Sequence, residues 1–166
     1  MLYYADLAID HVTFQLVADE SGLTYVGQTN AATLPLSHFY PNEKLLPDPP
    51  DPARLTPYVQ ELREFLTGTR EEFDVPLSIS RIVTPWQRKV LEQVRQIPYG
   101  QTISYQELAQ AIGQPQAVRA VAHAVALNPV LFFIPCHRVI RADGTYGQYR
   151  LGNNYKKHLI NLEKSF

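Results

Sequence analysis

The residues with the clearest chemical potential are Cys136, His137 and Arg138, which follow Pro135 at the end of the apolar run 130–134. Cys136 is the only cysteine in the sequence. A thiol must lose its proton before it can act as a nucleophile, and neighbouring basic or cationic groups lower its pKa. Pro135 has no N–H and a fixed φ, so a regular strand or helix does not continue through it. The pattern indicates a thiol nucleophile, and the alternative is a core cysteine at the end of a strand.

Length and composition favour a globular chain of 166 residues with one domain or two small ones. A single cysteine excludes an intrachain disulfide and a multi-cysteine metal cluster, and it fits a reducing cytoplasm. The first residues carry no basic leader before an apolar stretch, so we expect no signal peptide. No apolar run is long enough to span a bilayer, so we expect no membrane association.

Charge divides the sequence into two different halves. Residues 1–83 contain 5 Lys or Arg and 12 Asp or Glu, a balance of −7, whereas residues 84–166 contain 10 and 4, a balance of +6. A basic half predicts contact with a polyanion, although solvated basic surfaces are also common.

The first half has the pattern of a sheet with one helix. Strands are predicted at 12–17 and 23–26, which are rich in β-branched and aromatic residues, and an exposed proline-rich connection at 41–52. A helix is predicted over 52–67, because apolar residues recur on one face. Alternation over 73–79 predicts an edge strand that contains a proline. The predicted apolar helix face is Leu55, Val59, Leu62 and Leu66.

The second half has the pattern of a helical domain. Thr84 and Pro85 predict the start of a helix whose inner face is Trp86, Val90, Val94 and Ile97. Ser104 and Glu107 form a capping-box pattern at the start of the next helix. Gly113 lies in a short turn before a helix predicted over 117–127, with Val118, Val121 and Val125 on its apolar side. Two short helices around such a turn predict a helix-turn-helix, and a plain helical hairpin is the alternative.

The last helix is predicted to start after Asn153 and to point Leu159 and Leu162 inward. Glu163 lies next to that face, where a carboxylate needs a partner. We expect His137 to be that partner, and a solvated glutamate is the alternative.

From about residue 84 onward the sequence resembles the O6-alkylguanine-DNA alkyltransferases, also called methylated-DNA–protein-cysteine methyltransferases. The segments that carry the resemblance are 97–101 (IPYGQ), 104–105 (SY), 118–121 (VRAV), 128–129 (NP), 135–139 (PCHRV) and 159–163 (LINLE). The resemblance implies an α+β fold. Residues 1–83 would form a ribonuclease-H-like sheet-and-helix domain, and residues 84–166 a mostly helical DNA-binding and alkyl-acceptor domain with a helix-turn-helix.

The resemblance also implies DNA repair by direct reversal. Cys136 would accept a methyl or alkyl group from O6 of guanine, and also from O4 of thymine, in a single turnover. His137 would act as the base through a water, oriented by Glu163. Asn128 would hold the turn before the active-site segment, and Tyr105 would lie beside the flipped nucleotide.

The implied partner is double-stranded DNA with an O6-alkylguanine, bound through the minor groove by a monomer, with cooperative binding left open. Arg119 would enter the duplex in place of the flipped base. The implied DNA-binding set is Arg119, Tyr105, Ala120, Ala122, His123 and Arg138, and the implied substrate pocket is Val139, Tyr149 and Arg150. No cofactor is expected. Some relatives bind zinc through N-terminal cysteines, which this chain lacks, so no metal is expected either.

The chain departs from the common family pattern at two places. Arg150, Leu151 and Gly152 follow the loop tyrosine where small residues are frequent, and Ala122 and His123 replace small, often glycine, residues of the recognition helix. Three other functions are the alternatives. A non-catalytic sensor of alkylated DNA would lack the cysteine, a helix-turn-helix transcription regulator would not need residues 135–138, and a thiol hydrolase would need an oxyanion-hole motif.

Overall fold

Helices and short sheets make up the computed structural model, which describes residues 2–29, 35–41 and 50–164. The predicted α+β class is therefore confirmed, whereas the likeness of the N-terminal domain to ribonuclease H stays a prediction. Most of the predicted connection at 41–52 lies outside the described residues. No described helix combines the length and the apolar character that a membrane span requires.

The chain forms two compact units. The first is Met1–Ile82 with Pro129–Leu131, and the second is Val83–Asn128 with Phe132–Phe166. The sequence did not indicate that 129–131 belongs with the first unit. This segment joins the first unit through Val26, whose N–H donates to the carbonyl of Pro129 at 3.0 Å and which forms a parallel bridge with Val130.

An antiparallel sheet of three strands forms the centre of the first unit among the described residues. The strands are β1 (Tyr3–Ile9), β2 (Val12–Ala18) and β3 (Leu23–Gln28), and they pair in chain order. Asp10 and His11 have φ values of 49° and 67°, as a two-residue hairpin turn of type I′ requires. The strands predicted at 12–17 and 23–26 are confirmed.

Two helices follow the sheet in the described part of the first unit, and the second packs on it. They are α1 (Leu36–Phe39) and α2 (Pro52–Leu66). Asp51 caps α2 by accepting a hydrogen bond from the Arg54 N–H at 3.4 Å. The residues that α2 buries are Leu55, Glu61, Leu62, Phe65 and Leu66. The predicted face is therefore confirmed except at Val59, which is half-buried. The buried side of the helix includes Phe65, which was not predicted.

The regular strand predicted over 73–79 is wrong. Within the described residues, pairing there is limited to a single parallel bridge between Leu77 and Leu23 of β3. The Leu23 N–H donates to the Pro76 carbonyl at 2.9 Å, and the Ser78 N–H donates to the Leu23 carbonyl at 2.8 Å. Pro76 has no N–H to extend the ladder, so the segment stays extended without becoming a strand.

The second unit begins with α3 (Pro85–Arg95), and its start is confirmed. Thr84 Oγ1 accepts from the Gln87 N–H at 3.1 Å, and Gln87 Oε1 accepts from the Thr84 N–H at 2.9 Å, which completes a capping box. Trp86 is half-buried, and its indole N–H donates to the Ala120 carbonyl at 3.2 Å. The other predicted inner residues, Val90, Val94 and Ile97, are buried.

Helices α4 (Tyr105–Ala111) and α5 (Val118–Ala126) lie at the place predicted for the helix-turn-helix and pack against each other. Their role as a DNA-binding helix-turn-helix stays a prediction. Ser104 Oγ accepts from the Glu107 N–H at 3.0 Å at the start of α4. Gly113 has a φ of 81° in the turn, a left-handed conformation that glycine adopts without strain. The residues that α5 buries are Val121, Ala124 and Val125, and Val118 is half-buried.

The reactive segment lies between a short parallel strand pair and the last helix. The strands are β4 (Ile103–Ser104) and β5 (Val139–Ile140), and a one-turn 3-10 helix, Cys136–Arg138, leads directly into β5. The last helix is α6 (Asn153–Lys164), which packs against the 3-10 helix. It buries Lys156, Leu159, Ile160 and Glu163, whereas Leu162, predicted to point inward, is half-buried.

Candidate active site

Two tight turns around Pro135 fix the position of the thiol. Pro135 has a φ of −80° and a ψ of 63°, the values of an inverse γ-turn. The Cys136 N–H closes this turn by donating to the Ile134 carbonyl at 2.8 Å. The Arg138 N–H then donates to the Pro135 carbonyl at 3.0 Å. The proline therefore ends the apolar run and begins the 3-10 helix that carries the cysteine.

Asn128 connects the end of α5 to this turn. Its side-chain amide donates to the Ile134 carbonyl at 2.8 Å, and the side chain also hydrogen-bonds Cys136. The residue is buried, and a buried amide with satisfied partners stabilises one arrangement of its neighbours. The structure thus brings Asn128 to the thiol, while its part in catalysis stays a prediction.

The Cys136 thiol is buried, and its environment favours the protonated form. Burial raises the pKa of Cys136 above its ordinary value of 9.0, because a medium of low polarity disfavours the thiolate. The hydrogen bond from Asn128 and the positive charges of Arg150 and Lys156 lower the pKa, but they do not outweigh burial. The thiol therefore needs a base before it can attack an electrophile.

His137 and Glu163 form a buried hydrogen-bonded pair between Nε2 and Oε2, as predicted. The other carboxylate oxygen, Oε1, accepts from Arg138 Nε at 2.8 Å and from the Gly100 backbone N–H at 3.0 Å. The exposed fraction of the His137 side chain is 0% and that of Glu163 is 2%. The 3-10 helix, α6 and the loop before β4 therefore meet at one carboxylate.

The protonation states of this pair follow from burial and charge. Burial lowers the pKa of His137, because it disfavours the imidazolium ion. Burial alone would raise the pKa of Glu163, but hydrogen bonds and charges from His137 and Arg138 lower it overall. We assign a neutral imidazole beside a carboxylate ion. The carboxylate accepts the Nε2 proton, so the imidazole lone pair lies on Nδ1, the form that a general base requires.

Arg138 supports this network, and the prediction that it contacts DNA is corrected. Its side chain is buried, with Nε on Glu163 and Nη1 donating to the Ile97 carbonyl at 2.8 Å. A guanidinium turned inward and engaged in this way does not reach a phosphate or a base. The segment 97–101, which carries part of the family resemblance, supplies both the Ile97 carbonyl and the Gly100 N–H.

The strand pair β4–β5 brings Tyr105 close to the thiol. Tyr105 follows Ser104 of β4 directly, and β5 follows the 3-10 helix. Burial raises the pKa of Tyr105 and the neighbouring Cys136 raises it further. Gly147 has a φ of 72°, and a Cβ there would lie 3.4 Å from the Tyr105 ring. A glycine therefore allows the loop to pass close to the tyrosine.

Lys156 belongs to the site, although no motif in the sequence indicates it. Its side chain is fully buried, and Nζ donates to the Val139 carbonyl at 2.6 Å and to the Tyr146 carbonyl. Burial lowers the pKa of Lys156 to about 8, although the neighbouring Cys136 opposes the shift. This lysine fixes the backbone of Val139, a predicted pocket residue, and adds a positive charge near the thiol.

Tyr149 and Arg150, the other predicted pocket residues, lie in the turn before α6. The Gly152 N–H closes the turn by donating to the Tyr149 carbonyl at 2.9 Å. The pKa of Tyr149 is raised well above its ordinary value of 10.0, first by burial and then by Cys136. The turn therefore places both residues within electrostatic reach of the thiol.

The predicted DNA-contacting residues of α5 lie along its outer side. Arg119, Ala120 and His123 are exposed, and Ala122 is half-buried. In the part of the chain that the structure describes, the Arg119 side chain has no hydrogen bond or ion pair. The helix therefore presents small side chains and one long cation to an outside partner. Asn128, two residues after α5, is the connection between this surface and the thiol.

No group of three or more His, Cys, Asp or Glu side chains in the described ranges could hold a metal ion. The acidic residue of the site, Glu163, is already bound to His137 and Arg138. The expectation that the reaction uses no metal or cofactor stays a prediction.

Comparisons with known proteins agree over almost the whole chain. The model of the DNA-binding domain of 6-O-methylguanine DNA methyltransferase matches residues 85–165. The inducible methylated-DNA–protein-cysteine methyltransferase of Bacillus subtilis is 37% identical over 98% of this chain and 90% of its own length. A methylated-DNA–protein-cysteine methyltransferase of Methanosarcina acetivorans is 33% identical over 99% of each chain. A crystal structure of Mycobacterium tuberculosis OGT in complex with DNA has a TM-score of 0.84 and 34% identity, and the match covers 98% of this chain and 93% of that one. The chain belongs to the methylated-DNA–protein-cysteine methyltransferase family.

Proposed function

We propose that this chain repairs alkylated DNA by moving a methyl or other alkyl group from O6 of guanine to Sγ of Cys136. The observation that carries the proposal is the setting of the only cysteine in a chain whose relatives are named for transfer to cysteine. The thiol is buried, and the next residue in the chain, His137, has a neutral imidazole that a carboxylate ion orients. An alkyl group on O4 of thymine is also bonded to an oxygen of the base and can be attacked by the thiolate in the same way. We therefore include O4-alkylthymine among the substrates.

DNA binding is assigned to the second unit. The exposed side of α5 has small residues that allow a helix to approach a groove closely, and we place it in the minor groove of double-stranded DNA. The basic balance of residues 84–166 supports contact with a phosphate backbone. Arg119 fills the space that the alkylated guanine leaves when it rotates out of the stack. We expect a monomer to act on the DNA of the cytoplasm.

The transfer step uses the groups around the thiol. His137 accepts the thiol proton through a water, and Glu163 stabilises the imidazolium that forms. The thiolate attacks the alkyl carbon in line, so an S–C bond forms and the C–O6 bond breaks. The electron pair of the broken bond returns to the guanine, which takes up a proton beside Tyr105. A thioether is a stable product, and each molecule therefore reacts once.

The experiment that tests this proposal is intact mass spectrometry after mixing the protein with duplex DNA that carries one O6-methylguanine. We expect a gain of one CH₂ unit, saturating at one per protein and confined to the peptide that contains Cys136. The Cys136→Ala variant is the control, and it should bind the same DNA without any gain in mass.

Other outcomes distinguish the alternative functions. Tight binding to the lesion without a gain in mass in the unsubstituted protein would indicate a sensor of alkylated DNA. Binding to one unmodified sequence in preference to the lesion would indicate a transcription regulator. Turnover of esters through Cys136 would indicate a thiol hydrolase. Each of these results would overturn the transferase proposal.

A further inference from the structure

Arg150 lies in a position that the turn before α6 fixes at both ends. The Gly152 N–H donates to the Tyr149 carbonyl at 2.9 Å, and the Lys156 N–H donates to the Gly152 carbonyl at 3.1 Å as α6 begins. Gly152 has a φ of 96°, which a residue with a side chain rarely adopts. Arg150 therefore occupies a corner of a closed turn and is not part of a free loop.

The two terminal nitrogens of Arg150 are buried without a hydrogen-bond partner in the part of the chain that the structure describes. The Tyr149 hydroxyl is also buried without a hydrogen-bond partner among the described residues. A guanidinium keeps its charge at every physiological pH, and a buried charge without a counter-ion is strongly unfavourable. Buried polar groups that lack partners in a native protein require an explanation, and a bound ligand is one.

The charge around Arg150 shows which kind of ligand fits. Arg150 and Lys156 both act on the Cys136 thiol with positive charge. The acidic side chain of the site, Glu163, is already bound to His137, to Arg138 and to the Gly100 N–H. The surroundings of the thiol therefore have positive charge that the described residues do not neutralise, and an oxyanion is the ligand that balances it.

We propose that Arg150 binds a carboxylate on the transferable group, so that the protein accepts O6-alkylguanines whose alkyl group ends in a carboxylate. This inference rests on the proposed function. A carboxylate has two coplanar oxygens that match the fork of a guanidinium, and the Tyr149 hydroxyl supplies one more donor. In O6-carboxymethylguanine the carboxylate is bonded directly to the carbon that Cys136 attacks. A phosphate of the flipped nucleotide is the other source of an oxyanion, and the experiment separates the two.

The reaction with this substrate balances in the same way as methyl transfer. The Cys136 thiol loses its proton, sulfur bonds to the CH₂ carbon, and the C–O6 bond breaks. The electron pair goes to the guanine, which gains a proton, and the product is S-carboxymethylcysteine. The carboxylate keeps its charge throughout and stays beside Arg150 after the transfer.

The test compares single-turnover rates of the unsubstituted protein, Arg150→Met and Arg150→Lys. The substrates are O6-carboxymethylguanine and O6-methylguanine, each in duplex DNA and as a free nucleoside. We expect Arg150→Met to slow carboxymethyl transfer about 10- to 100-fold more than methyl transfer, in duplex and in nucleoside alike. For carboxymethyl transfer, the rate of Arg150→Lys should lie between the rates of the unsubstituted protein and Arg150→Met. Lysine keeps the positive charge but lacks the two parallel donors of the guanidinium.

Three results would overturn the inference. Equal losses for both alkyl groups in duplex and nucleoside would mean that Arg150 acts on the thiol. Equal losses for both groups in duplex alone would mean that it binds a DNA phosphate. A large fall in Tm for Arg150→Met would mean that the guanidinium has a protein partner, whereas loss of an unpaired buried charge should leave Tm the same or higher. Failure of the proposed function is distinguished by the absence of methyl transfer in the unsubstituted protein.

Discussion

Glu163 and His137 form a hydrogen bond that joins the last helix to the 3-10 helix carrying Cys136, and both side chains are buried. The two residues are buried together because Arg138 and the Gly100 N–H satisfy the second carboxylate oxygen. A carboxylate ion in this place is compatible with burial only as part of such a network. The same contact therefore stabilises the fold and sets the basicity of the imidazole.

Replacing Glu163 by glutamine should damage both stability and reaction. The amide keeps the shape of the side chain, but it removes the charge that balances Arg138 and stabilises an imidazolium at His137. We expect the free energy of unfolding to fall by about 3–5 kcal/mol and the single-turnover rate to fall by about 10²-fold or more. Urea unfolding and rapid-quench kinetics measure the two effects.

The matched control for that substitution is Glu92→Gln. Glu92 pairs with Arg88 at 3.1 Å on the exposed side of α3, where its side chain is 58% exposed. An exposed pair of this kind contributes about 0–1 kcal/mol, so the control should change little. A normal rate in Glu163→Gln, together with a loss of stability, would show that Glu163 is structural and that His137 needs no carboxylate.

The free energy of unfolding should fall as the pH is lowered from neutral, in two steps. The pKa of His137 is lowered from 6.5 by burial, so between 6.5 and that lower value the unfolded chain binds a proton that the folded chain does not. The pKa of Glu163 is lowered from 4.5 by its partners, despite burial, so further stability is lost as the pH falls below 4.5. Urea unfolding at a series of pH values measures both steps. The second step should be smaller in Glu163→Gln, and an unchanged profile in that variant would contradict the assignment.

The thiol of Cys136 should titrate above pH 9.0 in the free protein. Burial raises its pKa, and the nearby cations only reduce that shift. The ultraviolet absorbance of the thiolate reports on this group alone, because the chain has one cysteine. Cys136→Ala provides the blank that removes the contribution of the tyrosines. A midpoint below 9.0 would mean that Arg150, Lys156 and Asn128 outweigh burial.

Much of this site could be predicted from local sequence. Cys136 next to His137 and Arg138 indicated a thiol nucleophile, and this role stays a prediction. The position of Glu163 beside the inner face of the last helix predicted a partner for His137, and that contact is confirmed. It could be predicted because it needed only helix periodicity and the rule that a buried carboxylate must be paired. The cap at Thr84 was equally local, since its partner Gln87 is three residues away.

The predictions that failed depended on the direction of a side chain in the folded unit. The family resemblance implied that Arg138 contacts DNA, but the Ile97 carbonyl and Glu163 hold its side chain inside. Lys156 and Lys157 are adjacent, and nothing in their types shows that Lys156 is fully buried while Lys157 is exposed. The acceptors of Lys156 are backbone carbonyls, which leave no trace in the sequence.

Replacing Lys156 by methionine should slow alkyl transfer at neutral pH. The substitution removes a positive charge that favours the Cys136 thiolate, and it frees the Val139 carbonyl from its hydrogen bond. We expect a rate loss of about tenfold, because the pKa of the thiol rises further when this cation is removed. The pH–rate profile measures it, because the profile should move to higher pH. Lys157→Met is the control on the exposed side of α6, and an equal loss in both variants would show a general charge effect.

Replacing Arg119 by alanine should separate reaction in DNA from reaction with a free base. Arg119 is exposed on α5, and its proposed role is to occupy the space left by the flipped guanine, which offsets the unstacking energy of a few kcal/mol. We expect repair of O6-methylguanine in duplex DNA to slow by about 10²-fold, while the reaction with the free nucleoside keeps its rate. Single-turnover kinetics on both substrates measure this difference. Arg95→Ala removes the same charge from the exposed side of α3 and should affect both reactions slightly, through nonspecific attraction to DNA. Equal losses on duplex and nucleoside in Arg119→Ala would contradict the base-flipping role, because a residue that acts only through the duplex has no contact with a free base.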